Sequence, residues 1–187
     1  MADAAYIGEN TDLILGREFL TWLWFRSETS NGLFRMGGQS SGHAGEPFTV
    51  SMEQRVVVRG GEGDNLETAS VSGSLSPLRE ARLGLQTGKL VVRALARMEK
   101  DGMAWQVTLK AEDFSIGSLR TPSVAKDEEA DDPDALFLEK MYLIESSLEM
   151  LDELYRQFLE ARLSPAWGAE AAAVAEWMRH DISQGAM

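Results

Sequence analysis

The chain of 187 residues contains no cysteine and only two histidines, His43 and His180, far apart in sequence. The first absence excludes a disulfide framework, a thiolate-bound zinc or iron–sulfur centre, and a cysteine nucleophile. The second argues against a multi-histidine metal site, so neither a metal nor a cofactor is expected. Long apolar runs are missing too. Residues 13–25 come nearest, but Gly16, Arg17, Glu18 and Thr21 interrupt them, and a bilayer span needs ~18 apolar residues in a row. The first residues lack the basic and apolar regions of a secretory signal. A soluble cytoplasmic protein with no membrane partner is expected.

Apolar residues make up 44% and charged residues 26% of the chain, the composition of a globular domain with a sizeable core. The net charge of -12 is unevenly placed. Residues 1–126 hold 14 basic and 15 acidic side chains, whereas residues 127–187 hold 4 and 15. This divides the chain into an α+β domain over 1–126 and an acidic linker with a helical segment over 127–187. The acidic end repels a polyanion within about a Debye length.

Apolar periodicity supplies the elements. Leu13, Phe19, Leu20, Leu23 and Trp24 predict a helix over 10–28, in which Gly16 marks a close approach or a later start near Arg17. Residues 30–46 are glycine-rich and read as a loop, with room for a short hairpin. Alternation predicts strands over 47–59, 66–75, 89–98 and 103–109. Asp101-Gly102 is a hairpin turn between the last two. Pro77 opens a short helix that Gly88 ends. Residues 121–133 read as a linker. Phe137, Met141, Ile144, Leu148, Leu151, Tyr155 and Phe158 then recur in 4-3 alternation and predict a helix over 133–162 that packs on the sheet, in preference to a coiled coil. A final helix is expected over about 166–182. The fold class is α+β: an antiparallel sheet with a long amphipathic C-terminal helix and flanking helices.

Catalytic constellations fail on context. Gly38-Gln-Ser-Ser-Gly42 has the letters of a nucleophile elbow but no preceding strand. Gly60-Gly-Glu-Gly63 lacks the order of a phosphate loop, and Asp127-Glu-Glu-Ala-Asp-Asp132 lacks the spacing of a calcium loop. No catalytic residue is expected, and the chain is read as a non-enzyme. Glu18, beside an aromatic cluster, is expected to pair with Arg17 or Arg26.

Strand geometry gives a binding surface instead. Residues i, i+2 and i+4 of a strand share a face, which aligns Lys89, Arg93 and Arg97 opposite Leu90, Val92, Ala94, Ala96 and Met98. Arg55 and Arg59 likewise lie opposite Val56 and Val58. Five cations on one sheet face would suit a phosphate backbone; a solvated face with local acidic partners is the alternative. Trp22 and Trp24 point to different sides of a helix. With Phe25 they are a candidate partner or dimer interface, set against two different internal neighbours.

Gly16-Arg-Glu-Phe-Leu-Thr-Trp-Leu-Trp24 resembles the G-x-E-F-L-x-W-L-W motif of the recombination-associated RdgC family. Glu80-Ala81, Gly88-Lys-Leu-Val-Val92 and Trp105-Gln-Val-Thr-Leu109 fit the same family, and the match covers roughly residues 13–120. Phe158-Leu-x-x-Arg162 extends it less specifically. The chain looks like a shortened relative matching the later portion of the family. The resemblance implies a nucleoid-associated, non-enzymatic protein that forms a ring-shaped homodimer on double-stranded DNA without sequence preference and restrains the recombinase. It marks Lys89 as a phosphate contact; the four arginines come from strand geometry alone. The strong acidity departs from the basic lining of a DNA clamp. The alternative is a protein-interaction or structural module of the same fold, with a protein partner at the acidic helical end.

Overall fold

Alternation of apolar and polar residues between positions 47 and 110 builds the sheet that organises the molecule. The computed structural model describes the backbone of residues 4–37, 45–60, 67–72, 77–123 and 133–179. The elements in order are α1 (Ala4–Thr29), β1 (Leu33–Arg35), β2 (Pro47–Gly60), β3 (Glu67–Ser72), α2 (Pro77–Gln86), β4 (Leu90–Lys100), β5 (Met103–Lys110), β6 (Ile116–Arg120), α3 (Pro133–Leu163) and α4 (Trp167–Arg179). The strands lie in the order β1-β2-β4-β5-β6, all antiparallel, and β3 follows β1 along the same edge of β2. This is the α+β architecture that the sequence predicts.

One face of the sheet is apolar. Phe48, Val50, Met52, Val56 and Val58 of β2, Ala94, Ala96 and Met98 of β4, and Trp105, Val107 and Leu109 of β5 are all buried. They form one core with Leu20, Leu23 and Trp24 of α1, Leu85 of α2, and Met150, Leu154 and Phe158 of α3. Each large side chain removed from water contributes about 1.5–3 kcal/mol, so the helices are held to this face by burial. Gly16 is a close approach: a Cβ there would lie 1.9 Å from the carbonyl oxygen of Ala111. The helix nevertheless starts at Ala4, well before Arg17. The hairpin turn forms as expected, with φ of 52° at Asp101 and 76° at Gly102, the positive values that a tight two-residue turn requires.

Within residues 30–46 a short hairpin forms: β1 pairs antiparallel with the start of β2, and Phe34 stacks on Phe48 with ring centroids 5.8 Å apart. Two features differ from the sequence reading. β6 is a strand that the sequence does not announce. The second difference concerns the face of α3. Its 4-3 stripe does not pack on the sheet along its whole length: Phe137, Met141, Ile144 and Leu148 are exposed. The buried side is instead Leu143, Ser146, Ser147, Met150, Glu153, Leu154 and Phe158. Trp105 Nε1 donates a hydrogen bond to the Leu143 carbonyl at 2.9 Å, and this fixes the rotation of the helix. Small Ser146 and Ser147 are buried on the same side, where a large residue would hold the helix away. Only towards its C-terminus does the stripe turn inward, at half-buried Leu151 and Tyr155 and fully buried Phe158.

Candidate nucleic-acid interface

Among the described residues, the opposite face of the sheet carries no helix. Its outward residues follow from register. β2 presents Ser51, Arg55, Val57 and Arg59, β4 presents Arg93, Leu95, Arg97 and Glu99, β5 presents Gln106, Thr108 and Lys110, and β6 presents Ser118 and Arg120. Arg55, Arg93 and Arg120 are exposed, while Arg59, Arg97 and Lys110 are half-buried.

Cross-strand register sets the cations in rows. Arg93 stands directly opposite Lys110. Like charges in this position destabilise a sheet unless an anion lies between them. A second row runs from Arg97 through Gln106 to Arg120. The rows are about 13 Å apart, four residues along a strand at roughly 3.3 Å each. Two of the cations are internally paired. Arg59 Nη1 lies 3.0 Å from Glu112 Oε1, and Arg97 Nε lies 2.6 Å from Glu99 Oε1. Lys110 lies within the field of Asp113. The Ser115 N–H donates to that carboxyl at 3.0 Å; the contact with Ser115 holds it below its usual range, and the charge of Lys110 adds to this. Thr108 and Ser118 share a hydrogen bond of 2.8 Å across β5 and β6.

Four of the five expected cations, Arg55, Arg59, Arg93 and Arg97, share this face. Lys89 does not. In β4 the register with β2 jumps between Val57, opposite Arg93, and Val58, opposite Val91. Val92 is thus an extra residue, and a one-residue bulge exchanges the faces before it. Val91 is accordingly buried. Lys89 runs between Gly60 and Gly84 of α2, on the helix-covered side. Lys110 and Arg120 take its place. Lys110 was legible from its alternation with Trp105, Val107 and Leu109. Arg120 was not, because β6 has no apolar alternation to announce it.

The expectation of an interface at Trp22, Trp24 and Phe25 is corrected. All three are buried within the chain, at 3%, 1% and 8% exposure. Trp22 Nε1 donates to Glu170 at 3.0 Å and Trp24 Nε1 to Glu28 at 2.8 Å. Trp22 packs against Phe158, and Trp24 and Phe25 pack edge-on against Trp177. The two tryptophans do point to different sides, but both sides are internal. Glu18 finds neither Arg17 nor Arg26; it accepts from Arg162 Nε of α3 at 2.8 Å.

His43, the serines at 40 and 41, residues 61–63, the acidic run 127–132 and His180 lie outside the described residues. Among the described residues no group of three or more histidine, aspartate and glutamate side chains could hold a metal ion. No described helix is long and apolar enough to cross a membrane. No family model, curated protein or solved structure matches the chain.

Proposed function

We propose that the chain is a non-enzymatic, recombination-associated protein of the nucleoid that binds double-stranded DNA without sequence preference, as its resemblance to the RdgC family implies, through the face of its sheet opposite the described helices. The observation that carries this reading is the Arg93–Lys110 pair. Two cations stand directly opposite each other across β4 and β5, and a phosphate would relieve their repulsion. Arg55 and Arg120 add charge on either side. The spacing of the rows is on the scale of the ~12 Å major groove, so backbone phosphates on its two sides could be met together. Ser51, Gln106, Thr108 and Ser118 supply neutral donors between the cations, which suits backbone contact better than base readout.

A second reading is a protein-interaction module without DNA binding. The Arg59–Glu112 and Arg97–Glu99 pairs favour it, because each reduces the free positive charge.

Binding of a fluorescent random-sequence duplex across a salt series separates the two. The chain should bind at low salt, with an affinity that falls steeply as salt rises. Arg93→Glu with Arg120→Glu should weaken it at least tenfold and flatten the logarithmic salt slope by about 0.9 for each phosphate no longer neutralised. Arg179→Glu, on α4 away from this face, should leave it unchanged. No binding by the wild type at low salt would sink the DNA reading and leave the protein-interaction module.

A further inference from the structure

We propose that the exposed stripe of α3 pairs with the same stripe of a second copy of this chain, the two helices running parallel. The inference is independent of DNA binding. Over residues 133–142 every side chain except half-buried Leu136 is exposed, so this end of α3 projects from the body. Along it Phe137, Met141, Ile144 and Leu148 keep the 4-3 spacing of a helix-to-helix seam, with Leu138 beside them. Their exposures are 61%, 48%, 38% and 47%, with 66% for Leu138. Taking about 200 Å² for each large side chain, the stripe offers on the order of 500 Å² per copy. Contiguous apolar patches of this size mark interaction sites, and two of them together reach the roughly 1,000 Å² of a stable interface.

The flanking charges choose the occupant and its direction. Lys140 borders the stripe on one side and Glu145 on the other, five residues later. In a parallel pair this spacing brings each lysine to the partner's glutamate. Both side chains are exposed. The pairing is also sterically open. At about 100° per residue the stripe lies roughly 120° around α3 from the Leu143–Met150–Leu154 side that meets the sheet, so the two bodies diverge. The seam ends where Tyr155 meets Phe19 and Phe114 of its own chain, which limits the contact to the projecting half.

Sedimentation equilibrium of the full chain tests this. The wild type should be a reversible dimer. Met141→Glu with Ile144→Glu should be monomeric with unchanged far-ultraviolet circular dichroism, since both positions are exposed. Lys140→Glu should raise the dissociation constant by roughly fivefold or more, because two symmetry-related attractions become repulsions. Adding Glu145→Lys should restore it. Because the chain has no cysteine, Ile144→Cys gives an independent readout: mild oxidation should link two parallel copies through one disulfide. A wild type that is monomeric at every soluble concentration would overturn the proposal and leave the stripe to a helix of another protein. A dimer that survives the double glutamate variant, or an Ile144→Cys chain that does not cross-link, would overturn it as well.

Discussion

Glu153 is a carboxylate almost sealed inside the molecule, at 6% exposure. Burial is the largest influence on it and pushes its pKa up. Hydrogen bonds from Arg156 and Gln157, the charge of Arg156 and the Gly37 N–H outweigh this and hold it below the ordinary 4.5. A group whose pKa is depressed by folding stabilises the fold above its unfolded pKa and loses that stabilisation as pH falls through the folded value. The wild type should therefore lose thermal stability below about pH 4.5, where the unfolded chain takes up the proton first. Glu153→Gln should cost about 1–3 kcal/mol at neutral pH, by removing the charge that faces Arg156 and leaving one acceptor oxygen for Arg156, Gln157 and the Gly37 N–H, and should flatten the acid limb. Parallel melting curves for the two proteins from neutral to acid pH would refute this role. Single residues also show where sequence reading stops. Arg93 and Arg97 were legible because unbroken alternation fixes their side. Lys89 was not, because the extra residue at Val92 reverses the alternation and leaves no trace in composition.

At the scale of elements, α4 is attached differently from the rest. It has no fully buried residue, and its chief anchor is Trp177. The Arg82 guanidinium lies 3.9 Å over that ring, Nε1 donates to Glu28 at 2.9 Å, and Trp24 and Phe25 pack on its edges. Burial lowers the pKa of Arg82, and the charge of Glu28 partly offsets this. Trp177→Ala should remove about 2–3 kcal/mol, less than for a fully buried tryptophan. Amide exchange should then accelerate across Trp167–Arg179 while the sheet stays protected. Uniform acceleration would mean that α4 is not a separable unit. Most elements could be read from sequence, because β2, the β4–β5 hairpin and α2 each carry a periodicity with its turn or cap. The orientation of α3 could not. A 4-3 stripe says that an apolar side exists but not which surface it meets. Here a hydrogen bond from Trp105 and two small serines choose the other side.

The whole molecule combines a net charge of -12 with a sheet face dominated by cations. For the proposed DNA binding, this field should orient an approaching duplex, with attraction on one side and repulsion from α3. Glu139→Gln with Glu149→Gln, both exposed and on α3, should speed duplex association severalfold at low ionic strength. The gain should vanish at about 1 M salt, where the screening length is near 3 Å. Equal acceleration at both ionic strengths would locate the effect elsewhere. The core also joins distant parts of the chain: Trp22 reaches Glu170 across 148 positions, and Trp24 meets Trp177. On the ribosome this sets an order of events. At about 5–20 residues per second, the tryptophans of α1 are made about 7–30 seconds before these C-terminal partners. Until then the newborn chain holds these tryptophans with one side uncovered, in the interval when holding chaperones act.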